Sequence, residues 1–356
     1  MDRPAAHIHA IATAVPGHDI HQAFIGWAHE RLADRHQQLL FARLAGRAGI
    51  DHRWSVLPRT EGGGSPVQPG GFYHGGTLPS TAQRMAIYAQ KAPELALAAI
   101  DALGRQTPID GITHLVVASC TGFIAPGIDQ IIATRLGLDP SIERTLVGFM
   151  GCYAAVAALR VAHHIARSDP QARVLVVTVE LSSLHLTAVN DMESILAALQ
   201  FSDGAAAALV SARPAGLRLD RFFSATLPDS AGLIQWAIGD AGFEMTLSGQ
   251  VPQRIAHALQ EPGLRAALLD GSDAAELEWA VHPGGRSILD AVESGLGLGP
   301  SALALSRSVL ARFGNMSSST LLFVLADLMT QPGRERGAAM AFGPGIAVEG
   351  FQFGRR

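Results

Sequence analysis

A cysteine that follows an apolar strand and begins an alanine-rich helix is placed to act as a nucleophile. In Thr145-Leu-Val-Gly-Phe-Met-Gly-Cys-Tyr-Ala-Ala-Val-Ala-Ala-Leu-Arg160, residues Thr145 to Met150 read as a short apolar strand. Gly151 permits a tight turn, and the run from Tyr153 has high helix propensity. Cys152 then falls at a helix N-terminus. Unpaired backbone N–H groups and the positive end of the helix dipole favour the thiolate there, and the thiolate is the form that attacks thioesters. The alternative for a cysteine at such a junction is a buried, inert core thiol. Thiol chemistry also needs a base to take the proton and donors to hold the developing oxyanion. His282 stands at the end of the apolar strand Leu277 to Val281, before Pro283-Gly284-Gly285, where a site histidine would stand in an α/β fold. Asn315, in Phe313-Gly-Asn-Met-Ser-Ser-Ser319, offers a neutral amide that donates a hydrogen bond without repelling a thiolate. A satisfied strand-end histidine and a turn asparagine would explain these two singly. Their co-occurrence with Cys152 points to acyl-transfer chemistry.

The remaining chain must position these groups. His7 to Ala14, His114 to Ser119, Arg173 to Glu180 and Ala205 to Ser211 read as strands, most of them of the uniformly apolar kind buried in parallel sheets. The spacing predicts helices over 21–48, 126–136 and 194–199, and over 81–103 with an interruption at Pro93. Glu61 to Gly71 is a loop on its glycine and proline content and lacks the spacing of a phosphate-binding loop. After Pro214 a similar alphabet recurs: strand over 217–225, helix over 251–268, helices over 286–294, 302–313 and 320–329, a turn at Met340 to Gly345 and a closing strand over 346–353. Alternating strands and helices make a layered α/β fold, and the recurrence points to two related halves.

Composition narrows the function classes. The 356 residues are 48% hydrophobic with a formal net charge of -4, which gives a sizeable core and no global attraction for nucleic acid. Cys120 and Cys152 are the only cysteines, too few for a disulfide framework or a cysteine-rich metal site. Of the fourteen histidines, His7 and His9 alternate on a strand and His163 and His164 are adjacent on a helix, neither a compact zinc spacing. No metal is therefore expected. No apolar run reaches about 18 residues, and the segment Met1 to His7 lacks a basic region followed by a signal core. A cytoplasmic protein without membrane insertion is expected.

Five motifs in order resemble the type III polyketide synthases, the chalcone-synthase-like family of the wider thiolase-like superfamily. They are Gly148-Phe-Met-Gly-Cys-Tyr-Ala-Ala155, Phe201-Ser-Asp-Gly-Ala-Ala-Ala207, Val281-His-Pro-Gly-Gly-Arg-Ser-Ile-Leu-Asp290, Gly314-Asn-Met-Ser-Ser318 and Gly343-Pro-Gly345. The resemblance implies an αβαβα layered fold of two related halves: residues 1–214 carry the nucleophile, and 215–356 carry the histidine and asparagine. It implies a homodimer that needs no cofactor and takes acyl-CoA and malonyl-CoA as substrates. Cys152 would accept the starter acyl group, while His282 and Asn315 would hold the malonyl thioester carbonyl during decarboxylation. Phe201 matches the family's gatekeeper phenylalanine, Met245 stands at the second gatekeeper position, and Ser317, Gly343, Pro344 and Gly345 fall in substrate-binding motifs. Trp236 stands where plant enzymes often have glycine, so a chalcone product is not expected and an aliphatic starter is. His185 is either a polar contact to the growing chain or a filled niche, and Cys120 is a neutral lining thiol. Arg43, Arg47 and Arg53 lie in the region of the family's basic mouth for coenzyme A, where a solvated helix face explains Arg43 and Arg47 nearly as well. Other readings are a ketoacyl-carrier-protein synthase III-like condensing enzyme and a non-catalytic acyl-binding partner.

Overall fold

The apolar stretches become one large sheet in the computed structural model, which describes residues 4–32, 34–75, 77–187 and 191–355. The strands before residue 214 are β1 (Ala6–Ala14), β2 (His18–Asp19), β3 (Trp54–Ser55), β4 (His114–Ser119), β5 (Glu143–Gly148), β6 (Arg173–Leu181) and β7 (Asp203–Ser211). Then come β8 (Leu217–Thr226), β9 (Ile234–Gly239), β10 (Gly242–Leu247), β11 (Glu278–Val281), β12 (Arg336–Gly343) and β13 (Ala347–Arg355). Nine of these pair in the order β11-β12-β13-β8-β1-β7-β6-β4-β5. The earlier and later strands thus form two contiguous blocks, joined where β1 pairs antiparallel with β8.

Both blocks turn an apolar face to the same two helices, Ala154–Ser168 and Ser319–Met329. Val116, Val176 and Ala208 meet them from one block, and Ala280, Ala339 and Phe351 from the other. Small side chains allow this enclosure: Ala154, Ala155, Ala158, Ala162 and Ala166 are all fully buried. Helix Thr81–Gly104 covers the outer face of the first block, against Leu115, Val117 and Val177. Helices Val251–Ala258 and Arg286–Leu296 cover that of the second, against Trp279, Val281 and Met340. Five layers result, helix and strand in alternation, as the patterning requires.

Local departures from the sequence reading have physical causes. Region 21–48 is two helices, His21–Arg31 and Arg35–Gly46, because Asp34 accepts the Gln37 N–H and caps the second. Helix Thr81–Gly104 runs through Pro93 without a break, since the buried face around it, with Ala92, Ala96 and Ala99, offsets the lost hydrogen bond. The stretch 251–268 divides into Val251–Ala258 and Pro262–Leu269, with Pro262 beginning the second helix. Met340 to Gly343 is strand rather than turn, held by its pairing with Ala347 to Gly350, and only Pro344–Ile346 turns. The strand before Cys152 ends at Gly148 and forms the sheet's edge, where Glu143, Arg144 and Thr145 are exposed. The hairpin β9–β10, absent from the sequence reading, sets Trp236 directly opposite Met245.

Candidate active site

Gly151 adopts φ +79°, and the short turn Gly151–Tyr153 leads directly into helix Ala154–Ser168, so Cys152 does stand at a helix N-terminus. The turn between β12 and β13 presses on it from above. A Cβ on Gly151 would collide with Pro344 Cδ, and one on Gly343 would lie 2.6 Å from the Tyr153 ring and 3.5 Å from the Cys152 nitrogen. Only glycine fits at either place. From below, Cys120 Sγ accepts the Gly151 N–H at 3.0 Å and lies 3.4 Å from the Gly151 carbonyl.

His282 follows β11, its N–H donating to the Met340 carbonyl at 2.8 Å. Asn315 sits between helices Ala304–Phe313 and Ser319–Met329 and is bound on every side. Its N–H donates to the Gln200 carbonyl and its carbonyl accepts from the Ser202 N–H, both at 2.9 Å, which ties it to Phe201. Its Nδ2 donates to the Gly284 carbonyl at 3.1 Å, and its Oδ1 accepts the Ser317 N–H at 2.9 Å. These bonds fix the amide's orientation and leave Nδ2 one further N–H to give. Cys152, His282 and Asn315 all line a single chamber of about 600 Å³, a size suited to a small-molecule substrate.

The electrostatics differ from the simple helix-dipole expectation. The chamber leaves Cys152 partly accessible, but protein surrounds it at longer range and bulk water is not there to solvate a thiolate. Burial pushes the Cys152 thiol up to about 12, with the Glu180 carboxylate adding to the rise, while hydrogen bonds from Ser317 and Asn315 pull the other way. Burial likewise pulls His282 down to about 3, and neither ring nitrogen has a hydrogen-bond partner among the described residues. Both groups are therefore neutral, a thiol and an imidazole lining the same chamber. Charge separation is favoured only when both ions, or an incoming acyl group, can stabilise each other.

Glu180 is the buried carboxyl that the sequence reading passed over, although a lone acid closing the apolar run of β6 was a visible signal. It accepts the Cys120 N–H at 3.0 Å, the Thr121 hydroxyl at 2.8 Å and the Ser318 hydroxyl. Desolvation outweighs these bonds and raises its pKa to about 7. The folded protein thus binds a proton that the unfolded chain releases near 4.5, so Glu180 costs stability as pH rises from about 4.5 to 7. Glu180→Gln is expected to flatten that decline and to raise stability at pH 8 by about 2–3 kcal/mol. Denaturant titrations across this range check it.

The models for the chalcone and stilbene synthase N-terminal and C-terminal domains match residues 2–214 and 219–354. The chain belongs to this family. It is 35% identical over 293 residues to type III polyketide synthase C of Arabidopsis thaliana, covering 77% of this chain and 76% of that one. An alpha-pyrone synthesis polyketide synthase-like protein of Mycobacterium tuberculosis is 37% identical over 252 residues, 67% of this chain and 64% of its own. The crystal structure of PKS-I from the brown alga Ectocarpus siliculosus superposes with a TM-score of 0.89 at 28% identity, covering 100% of both chains. The protein is thus a type III polyketide synthase of thiolase-like fold, an acyltransferase that condenses coenzyme A thioesters with decarboxylation and needs no cofactor.

In this synthase the chamber wall is the β9–β10 hairpin, which contributes Ile234, Trp236, Met245 and Leu247. Phe201, Cys120, Ser317, Gly343 and Pro344 also line it, whereas Gly345 lies outside, in the turn at φ +67°, its carbonyl accepting from Ser230. His185 does not line it. Its Nε2 donates to the Thr121 carbonyl at 2.7 Å, its Nδ1 accepts the Phe243 N–H at 3.0 Å, and its ring stacks on Phe243 with centroids 4.2 Å apart. Burial pulls it down to about 4, so it is a neutral pin for the hairpin, and it borders the smaller cavity beside the chamber. Trp236 is pinned too, its Nε1 donating to the Cys120 carbonyl at 2.9 Å. Arg43 and Arg47 are exposed at the end of helix Arg35–Gly46, outside the chamber lining. Arg53 is not at a surface mouth. It is 2% exposed, its guanidinium donating to His21 and to the carbonyls of Ala198 and Phe201. Among the described residues no group of three His, Cys, Asp or Glu could hold a metal, and no helix is long and apolar enough to cross a membrane.

Proposed function

We propose that this type III polyketide synthase loads an acyl-CoA starter on Cys152, extends it with malonyl-CoA and closes the chain to a pyrone, resorcinol or phloroglucinol-type ring. The observation that carries the reading is the single chamber lined by Cys152, His282 and an Asn315 amide held in one orientation. His282 takes the thiol proton, Cys152 Sγ attacks the thioester carbonyl, and coenzyme A leaves as its thiol. Malonyl-CoA then loses carbon dioxide while His282 and the free Asn315 N–H donate to the enolate oxygen, where charge develops. The enolate carbon attacks the Cys152 thioester, forming the new C–C bond and releasing the thiolate. Phe201 walls the site with an apolar face that disfavours water and the malonyl carboxylate. Arg43 and Arg47 supply cations for the coenzyme A phosphates.

Trp236 and Met245 narrow the chamber and favour an aliphatic starter over an aromatic one. Alpha-pyrone synthesis in the name of the mycobacterial relative is consistent with the pyrone among the proposed rings. Trp236→Gly is expected to raise kcat/KM for an aryl-CoA starter at least about tenfold relative to an aliphatic one, since chamber shape sets discrimination of this order. Mass spectra of products from malonyl-CoA with a panel of acyl-CoAs test the whole reading. Products formed only from malonyl-carrier protein would point instead to a carrier-dependent condensing enzyme.

The same reading takes residues 1–214 and 215–356 as two related halves and the working unit as a cytoplasmic homodimer. Support for the dimer comes from the unpaired edge strand β5, with Leu146 and Phe123 exposed beside it at 44% and 42%. Light scattering is expected to give twice the chain mass, and Leu146→Arg to lower it.

A further inference from the structure

The chamber passes from its reacting groups towards solvent along the segment that follows β11. His282 and Asn315 are buried, Gly284 and Gln200 half-buried and Ser287 exposed, and all five line it. Gln200 thus stands midway along the path that the thiol arm of a thioester takes when its carbonyl meets Asn315. Leu196, one helical turn before Gln200, and Ile288, beside Gly284, give the same wall apolar side chains. The Gln200 carboxamide is only partly used. Its Nε2 donates to the Leu196 carbonyl at 3.4 Å, which sets the end of the carboxamide that is oxygen. Oε1 accepts no hydrogen bond among the described residues and still has surface to offer a ligand. Glycine at 285 makes room for it, since a Cβ there would lie 2.2 Å from Oε1. Next to it the Gly284 carbonyl accepts Asn315 Nδ2 at 3.1 Å, and the Gln200 carbonyl accepts the Asn315 N–H at 2.9 Å. Gln200 and the oxyanion donor therefore belong to one bonded unit around Gly284-Gly285.

Resting on the polyketide synthase reading of the chamber, we propose that Gln200 Oε1 accepts the first amide N–H of the pantetheine arm and so fixes the thioester carbonyl against Asn315. That N–H lies two methylenes from the sulfur, and it reaches the middle of the chamber whenever the carbonyl reaches its floor. A lone acceptor set in an apolar wall calls for a neutral donor. An anion finds no donor in Oε1, and a hydrocarbon leaves it without a partner. Because Gln200 and Asn315 are bonded to each other, the contact acts on rate as well as on binding. An arm held beside the oxyanion donor limits the swing of the carbonyl past it, so binding energy away from the reacting atoms lowers the barrier. An arm with an ester oxygen in place of the N–H would meet Oε1 with a second acceptor and lose this effect.

The test uses the whole chain and two malonyl thioesters without phosphates. One is the thioester of N-acetylcysteamine, the other that of 2-acetoxyethanethiol, in which an ester oxygen replaces the amide N–H. Release of the acetyl thioester, followed by mass spectrometry, is expected to give a kcat/KM at least about tenfold higher for the amide, with part of the difference in kcat. Gln200→Met, similar in length but without an acceptor, should bring the ratio to near unity, and Gln200→Glu, which keeps an acceptor oxygen, should retain a preference. Gly285→Ala, whose Cβ displaces Oε1 without removing it, should also lower the ratio, and it decides if Gln200→Met does not fold. A merely structural defect would lower both substrates alike and leave the ratio as it was. A smaller ratio in the wild-type enzyme overturns the proposal, as does a ratio that survives in these two variants. Malonyl-CoA is the control for the reading beneath it. If the wild-type enzyme neither decarboxylates it nor extends a starter with it, that reading fails. The contact is then measured by itself, as protection of Cys152 from iodoacetamide by the S-methyl thioethers of the two arms, under the same criterion.

Discussion

Cys152→Ala is expected to lower polyketide formation at least about 10³-fold while malonyl-CoA decarboxylation continues. Removing the nucleophile of a covalent mechanism costs rates of this order or more, about 4 kcal/mol of transition-state stabilisation. Decarboxylation needs only the two donors, and neither His282 nor Asn315 depends on the sulfur for its position. His282 is held through its backbone by Met340, and Asn315 by Gln200, Ser202 and Gly284. Cys152 is half-buried, so its truncation should leave the melting temperature nearly unchanged. Release of acetyl-CoA from malonyl-CoA, followed beside product formation by mass spectrometry, separates the two activities. Undiminished condensation in this variant would end the proposal.

Asn315→Asp should lower decarboxylation about 10²–10³-fold, the usual cost of removing one oxyanion donor. The change is nearly isosteric, and its effect is electrostatic. An ionised carboxyl cannot donate to the Gly284 carbonyl, offers nothing to the enolate and repels both it and the Cys152 thiolate. Burial at 1% exposure favours the neutral acid, so activity should return in part as pH falls and the carboxyl protonates, whereas the wild-type enzyme shows no such acid recovery. A pH profile of acetyl-CoA release distinguishes this from a folding defect, which acid would not repair.

The legible features were those that depend on local sequence. Gly151 at φ +79° and the alanine run after it place Cys152 at a helix start whatever surrounds them. The uniformly apolar strands β4, β6 and β7 could be stable only inside a layered fold. The five motifs carried the family. Less legible were features in which distant segments decide the outcome. Pro93 signals a break, yet the packing of its helix against the sheet carries the helix through it. Arg53 reads as one more cation in a basic region, yet its guanidinium is spent on Ala198 and Phe201, 145 and 148 residues away. The hairpin β9–β10 did carry a local signal, the alternation Phe243-Glu-Met-Thr-Leu247 after the turn Gly239-Asp-Ala-Gly242, but its place against the chamber is decided by Trp236 bonding Cys120 and by His185 bonding Phe243.

By itself, then, the order of residues determined the layered α/β plan and singled out Cys152, His282 and Asn315 as candidates, because backbone propensity and functional-group chemistry are properties of short stretches. The tertiary structure alone decided the protonation state of the site and the shape of its chambers. The protein packed around them holds Cys152 and His282 neutral, and the hairpin β9–β10, through Trp236 and Met245, walls the chamber of about 600 Å³. Solvation and volume are set by everything within reach of a side chain, and most of what lies within reach is far away along the chain.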